Sequence, residues 1–396
     1  MNILVVTSRV PYPLRDGGAI ATFNQVKSYA ALGHRVVMCC LNTSKHYVDR
    51  ATIDRAFDFA QEVHTVDANT NLKPLGALFS LLSGTSYNIT RFDVPQMHQE
   101  LERLCLSHQF DLIQLEGLYT APYLETLRKV SQAPLLLRQH NVEFRIWEKL
   151  AAHAPKGIKR WYLGLLSRRL KTYELNCLPL ADKVAAITDA DAADMKQYCP
   201  QASIISAPAG IDLPDAVEQG NPFRVFHLGS MEWMPNQEGV HWLLNEIWPL
   251  VKKMEPRASL HLAGKGLRAN FGKPLPEGVY NDGEVEDAAR WYAGFGISVV
   301  PLRAASGIRM KTLEALAAGK SVVSTGAGAA GLPLMNREEA MLADTAEAFA
   351  QAILTVMHDA ALRERLCLKG RAMAGRYDRN LLAAQLLQKC TQKTVH

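Results

Sequence analysis

The chain lacks any long apolar run: none of its hydrophobic stretches approaches the ~20 consecutive apolar residues that a membrane-spanning helix needs. Its opening, Met1-Asn2-Ile3-Leu4-Val5-Val6-Thr7, is too short for the apolar core of a signal peptide and has no basic segment, so no leader is expected. Cysteine is sparse and scattered. Seven thiols, at 39, 40, 105, 177, 199, 367 and 390, form an odd set without Cys-x-x-Cys spacing, which argues against a disulfide framework and a zinc site. A soluble protein in a reducing cytoplasm is expected. The charge excess is also small. A net charge of +5 suits an anionic substrate or an anionic membrane surface, but it is too weak to imply nucleic acid, and no nucleic-acid-binding motif appears.

What is present is enough apolar sequence for two cores. With 396 residues, 48% of them hydrophobic, the chain exceeds the ~250–300 residues at which single cores stop growing. Asn2–Thr7 reads as a buried strand, Ser8–Gly18 as a loop, Ala19–Leu32 as a helix stopped by Gly33, and Arg35–Leu41 as the next strand. Further strands are expected at Asp111–Leu115, Pro134–Gln139, Lys183–Thr188 and Ser203–Ser206, giving a doubly wound parallel sheet. Ala207–Pro222 reads as a linker. A second series follows, with strands at Phe223–Leu228, Ser259–Ala263, Val279–Asn281, Ser298–Leu302 and Ser321–Ser324, and helices near 237–252, 286–293 and 309–318. The tail from Thr345 reads as helical.

The richest stretch runs from Ser306 to Lys320. Ser306-Gly307-Ile308-Arg309-Met310-Lys311 places a glycine and two cations at a loop-to-helix junction, with Glu314 further along the helix. Backbone N–H groups and the helix dipole favour an anion there, which is how a diphosphate is held. A cation in a first helical turn opposes the dipole, so an anionic ligand explains it better than helix stability does. The alternative is an ordinary surface pair of Lys311 with Glu314 beside a solvated Arg309. Arg15-Asp16-Gly17-Gly18 ends the first loop, where Gly17 and Gly18 let the backbone approach an anion or simply form a tight turn. His140, after a strand end, is placed to meet a sugar hydroxyl, or else is a structural residue beside a helix-capping Asn141.

From Glu314 to Val323 the sequence resembles the retaining nucleotide-sugar glycosyltransferases of the GT-B fold, family 4, whose second signature glutamate opens a run like Glu-Ala-Met-Ala-Cys-Gly-Lys-Pro-Val-Val. The resemblance implies an α/β architecture of two Rossmann-like domains facing across a cleft. The expected division is an acceptor-side domain over 1–210, a linker over 211–222, a nucleotide-sugar domain over 223–376 and a C-terminal helix in 377–396 crossing back to the first domain. It implies donor contacts from Gly229, Gly264 and Val285, the last meeting the base through its backbone, and a ribose contact from Glu314. Ser306, Gly307 and Ile308 would lie in the diphosphate loop, and His140 would contact the donor sugar. Two departures stand out. The family's first glutamate falls at Ser306, and Ser230 stands where many relatives carry an arginine, so the positive charge has moved to Arg309 and Lys311.

The expected chemistry is metal-independent transfer of a hexosyl group from a UDP- or GDP-linked donor to an acceptor hydroxyl, with anomeric configuration retained. No separate cofactor is expected. Arg309 and Lys311 would neutralise the departing phosphate, and no nucleophilic side chain stands out. Asp189-Ala190-Asp191 reads as a helix-opening cap rather than a metal ligand. The acceptor would be a glycan, a lipid-linked sugar or a small molecule in surface glycan or glycolipid synthesis. Lys156–Lys171, basic with interleaved aromatics, either lies on anionic lipid or packs its Leu and Trp stripe inward. Two other functions compete: a non-catalytic nucleotide- or glycan-binding partner of the same fold, and a nucleotide-sugar epimerase.

Overall fold

The computed structural model describes residues 1–14, 17–71, 87–153, 157–215, 218–271, 274–285, 287–303 and 309–391, which form two units. Alternation along the first strand, Asn2–Thr7 (β1), sets the layering of the first unit. Ile3 and Val5 pack with Val26 and Tyr29 of the helix Gly17–Ala31, whereas Leu4 and Val6 pack with Met97, Leu101 and Leu104 of the helix Pro95–Ser107. Successive strand side chains point to opposite faces, so a strand apolar at every position is covered by helices on both. Arg35–Thr43 (β2), Glu62–Ala68 (β3), Leu112–Glu116 (β4), Leu135–Gln139 (β5), Lys183–Ala186 (β6) and Ile204–Ser206 (β7) complete an all-parallel sheet of order β3-β2-β1-β4-β5-β6-β7. The last helix, Arg379–Thr391, belongs to this unit. Its Ala383, Leu386 and Leu387 pack on the Ile3 and Val5 face, and Lys389 Nζ donates to the Ser206 carbonyl at 3.1 Å.

The second unit, Ile211–Asp378, repeats the plan. Asn221–Leu228 (β8), Ser259–Ala263 (β9), Val279–Gly283 (β10), Phe295–Val300 (β11), Ser321–Ser324 (β12) and Met341–Leu342 (β13) form an all-parallel sheet of order β10-β9-β8-β11-β12-β13. Val225 faces Trp248 and Phe349 while Phe226 faces Leu313 and Leu316, again one core on each side. In each sheet the strand order reverses beside the unit's first strand, between β1 and β4 and between β8 and β11. Open α/β sheets bind ligands outside the carboxyl ends of strands at such points.

Several boundaries differ from the sequence reading for identifiable reasons. β11 begins at Phe295 and stops at Val300, because Pro301 has no N–H to continue a ladder. β6 ends at Ala186, since Thr188 caps the helix Asp189–Tyr198 by accepting from the Asp191 amide; the acids Asp189 and Asp191 occupy its first turn and are not the cap. The helix expected near 237–252 runs from Met234 to Met254 through a π turn at Leu243–Ile247. Pro249 follows that turn, and a proline removes one helical donor and crowds the carbonyl four residues earlier. Residues 211–222, read as a linker, lie within the second unit: the Ile211 amide donates to the Tyr377 carbonyl at 2.9 Å and Asn221 opens β8.

That segment is also fastened by Lys320, only 1% exposed, whose Nζ donates to the Glu218 carbonyl and, at 2.7 Å, to the Ala293 carbonyl. Burial lowers its pKa to about 8. Lys320→Met keeps the stem and deletes both bonds. Hydrogen bonds to charged groups contribute about 1.5–3 kcal/mol, so the urea midpoint should fall by that amount of stability at unchanged slope. An unchanged midpoint would show that the lysine does not tie the segment down.

Candidate functional site

The second unit carries a cavity of about 270 Å³ at the carboxyl end of β8. Gly229, Ser230, Trp233 and Asn236 line it from the loop after β8, and Arg309 and Lys311 line it from the start of the helix Met310–Ala317. Glycine is required where the loops meet. A Cβ on Gly229 would lie 2.8 Å from Asn236 Nδ2 and 2.9 Å from His227 Nε2, and one on Gly264, at φ +139°, would lie 1.9 Å from the Gly229 carbonyl oxygen. The Gly229 amide donates to the Ala263 carbonyl at 3.0 Å, and the Gly264 amide to the Gly283 carbonyl at 2.7 Å. The start of the loop after β8 is therefore bonded to the end of β9, and the start of the loop after β9 to the end of β10. Val285 follows two residues beyond Gly283 and is half-buried.

Arg309 stands at the N-cap of its helix, with its guanidinium carbon 5.0 Å from the centre of the Trp233 ring. It is half-buried, and burial lowers its pKa, but a guanidinium stays charged. The contact with the aromatic face brings this cation to the loop in which Ser230 sits. Lys311 Nζ pairs with Glu314 Oε2 at 2.9 Å, the two side chains 54% and 33% exposed. The surface pair weighed in the sequence reading therefore forms. Pairs this exposed contribute ~0–1 kcal/mol, so a stronger anion can take the ammonium from it. Glu314 stands beside the cavity rather than in its lining, close enough to Tyr292 to help raise that phenol's pKa. Ser306, Gly307 and Ile308 lie outside the described residues.

Two lining groups escaped the sequence reading. His227 is buried, with Nδ1 2.9 Å from the Val299 carbonyl, and burial lowers its pKa, so the ring is neutral and Nε2 is an acceptor. Neither that Nε2 nor the buried Thr312 Oγ1 has a hydrogen-bond partner. A histidine inside a strand and a threonine inside an apolar helix look like core in sequence. Their unpaired atoms become visible only in three dimensions, where buried polar groups without partners are uncommon.

The first unit has its own cavity, of about 320 Å³, at the carboxyl ends of β1 and β4, and it contains His140. His140 Nε2 lies 2.6 Å from Glu116 Oε2; the same carboxylate accepts from Arg138 Nη1 at 3.1 Å and from Thr22 Oγ1 at 2.9 Å. Burial would push the Glu116 carboxyl up, but Arg138, His140 and Gln114 together outweigh it and hold the pKa at about 2. The carboxylate fixes the His140 ring through Nε2, leaving Nδ1 as the other functional nitrogen. Gly18 lines this cavity at the start of the helix Gly17–Ala31, and Gly17 is exposed. Asn141 is not the cap of the helix Glu143–His153. The buried Glu174 takes that role from another helix, accepting from the amides of Glu143 at 3.1 Å and Phe144 at 2.9 Å.

His140, Gly17 and Gly18 thus belong to one unit and Gly229, Gly264, Val285, Arg309, Lys311 and Glu314 to the other. Among the described residues no group of three or more His, Cys, Asp or Glu is arranged to hold a metal ion, and no helix is long and apolar enough to cross a membrane. In the basic helix Ile158–Cys177, Leu166 and Leu170 are buried while Trp161 is 60% exposed, so the leucines pack inward and the tryptophan does not.

The family model described as Glycosyltransferase Family 4 matches residues 15–214, and that described as Glycosyl transferases group 1 matches residues 222–359. An uncharacterised 44.6 kDa protein in the cps region of Klebsiella pneumoniae is 23% identical, over 89% of this chain and 90% of its own. Among solved structures, Anabaena HepE in complex with UDP aligns with a TM-score of 0.66 at 16% identity, covering 99% of this chain and 100% of that one. Sucrose-phosphate synthase from Thermosynechococcus elongatus aligns at 0.65 with 16% identity, covering 99% and 98%. Two parallel Rossmann-like sheets, the order of the loops and these matches agree: the chain belongs to glycosyltransferase family 4, the group 1 glycosyl transferases, and has the GT-B fold.

Proposed function

We propose that this protein is a retaining glycosyltransferase that moves a hexosyl group from a UDP-linked sugar to an acceptor hydroxyl in cell-surface polysaccharide synthesis. The observation that carries the donor assignment is the second-unit cavity, where Arg309 and Lys311 join the glycine-built loop after β8 at the point of strand-order reversal. HepE binds UDP and UDP-glucose in structures of this fold, and the Klebsiella relative from a cps region supports the polysaccharide setting.

In this reading the acceptor oxygen bonds to the anomeric carbon on the face that the diphosphate leaves. The bond from that carbon to the phosphate oxygen breaks, and the acceptor's proton passes to the departing phosphate. Arg309 and Lys311 oppose the charge that develops there, a preorganised effect of the oxyanion-hole kind. Protein cations take the place of a divalent metal, so activity should survive EDTA. Glu314, released from Lys311, accepts from the ribose hydroxyls, with Val285 at the base and His140 on the acceptor side. The enzyme acts in the cytoplasm, and the exposed Trp161 with its basic helix is its contact with the inner membrane face.

The test is turnover of UDP-hexoses with an oligosaccharide acceptor in EDTA, followed by NMR of the product's anomeric proton. The expected product keeps the donor's configuration. An inverted product would overturn the retaining assignment, and UDP-sugar binding without turnover of any donor would favour the non-catalytic partner.

A further inference from the structure

The second-unit cavity is lined not only by its cations but also by two buried polar side chains, one on the strand β8 and one on the helix Met310–Ala317. His227 is 4% exposed, and its Nδ1 donates to the Val299 carbonyl on β11 at 2.9 Å, which turns Nε2 to the far edge of the ring. That edge faces the loop after β8: a Cβ on Gly229 would lie 2.9 Å from Nε2, so glycine keeps a side chain from covering it. Thr312 is 1% exposed and stands in the first turn of its helix. A helical threonine commonly bonds its hydroxyl to a carbonyl three or four residues earlier, but Thr312 Oγ1 has no hydrogen-bond partner, and neither has His227 Nε2. Leaving a buried polar atom unpaired costs more than an ordinary hydrogen bond contributes, and such atoms are rare in cores. Two of them line one cavity here.

Resting on the donor reading of this cavity, we infer that His227 and Thr312 are specificity-determining residues that read sugar hydroxyls of the donor, Nε2 accepting a hydroxyl proton and Oγ1 exchanging a hydrogen bond with a second hydroxyl. With its proton on Nδ1, the neutral ring can only accept at Nε2. The ionised diphosphate of a nucleotide sugar has no proton to give. Arg309 and Lys311 are therefore its partners, and His227 is left for a neighbouring group that carries O–H. Sugars flank the diphosphate on both sides, ribose on one and hexose on the other, and both present that chemistry. A site that buries a hydrogen-bonding atom discriminates against an analogue lacking the matching hydroxyl, because the atom then stays unpaired.

The experiment titrates the full-length protein calorimetrically with UDP, 2′,3′-dideoxy-UDP and UDP-glucose, in the wild type, Thr312→Val and His227→Asn, and follows thermal unfolding of each without nucleotide. Thr312→Val keeps the shape of the side chain and removes its hydroxyl, while His227→Asn keeps a donor beside the Val299 carbonyl and removes Nε2. Thr312→Val should unfold at a temperature at least as high as the wild type, since it deletes an unpaired buried group, yet each variant should bind about fivefold or more weakly to the ligand whose hydroxyl it reads. A loss of affinity for UDP but not for 2′,3′-dideoxy-UDP would identify the ribose, and a loss for UDP-glucose with UDP unchanged would identify the hexose; either supports the inference. Wild-type affinity for UDP and UDP-glucose in both variants would overturn it. So would an equal loss with UDP and 2′,3′-dideoxy-UDP, which would put the contact at the diphosphate or the base, and so, for Thr312, would a lower unfolding temperature in Thr312→Val, which would show that the hydroxyl serves the fold. Failure of the wild type to bind any of the three nucleotides would overturn the donor reading itself, and this inference with it.

Discussion

Arg309→Ala lowers the rate of sugar transfer about 100- to 1,000-fold, because one preorganised donor to a developing oxyanion contributes ~2.7–4 kcal/mol. The guanidinium sits half-buried against Trp233, in a cavity that excludes part of the solvent, so water cannot fully replace it. The loss should fall on kcat more than on KM, since the leaving phosphate gains charge on the way to the transition state. Lys311→Ala should cost less, because the exposed ammonium already shares its charge with Glu314. Steady-state rates on the nucleotide sugar, with circular dichroism to show retained folding, check both. A transfer rate within a factor of three of wild type in Arg309→Ala would remove this cation from the mechanism.

Glu116→Gln is expected to give the largest loss of stability. It strips the charge from a carboxylate that is buried under Arg138, itself only 1% exposed, and an uncompensated buried charge costs about 3–5 kcal/mol. The same group sets an acid limit. Its folded pKa, about 2, lies below the ordinary value of 4.5, so between these pH values the unfolded chain binds a proton that the folded chain does not. Stability from this group is complete above pH 4.5 and is lost as the pH falls towards 2, on the order of 3 kcal/mol in all. Urea melts of wild type and variant at several pH values between 5 and 2 measure it. The gap between them should narrow as the pH falls, and a constant gap would mean that the carboxylate is not held ionised.

The sequence legible as fold was the sequence buried on both sheet faces. Strand β1 carries the continuous apolar run Ile3–Val6, buried on both faces, and that run identifies it directly. β3 was not legible because it lies at the edge of its sheet, mostly half-buried, and its Glu62, His64 and Asp67 interrupt the apolar pattern. β13 spans only two residues, too few for any period. At the site, sequence brought out the glycines and the cations because their spacing has a physical meaning at a loop-to-helix junction. It did not bring out Glu116, which reads as the end of a buried strand, although that carboxylate orients His140. Nor did it show that Glu174 caps a helix 31 residues away, since that cap is made by the tertiary fold alone.

In the proposed function the second-unit cavity holds the diphosphate of a nucleotide sugar. Thermal unfolding of the wild type and of Arg309→Ala, with and without UDP, is the measurement that decides this. At a hundred times Kd, UDP should stabilise the wild type by ~2.7 kcal/mol, and at the same concentration the variant should lose most of that gain. No stabilisation of the wild type, or an equal gain in both proteins, would contradict the account.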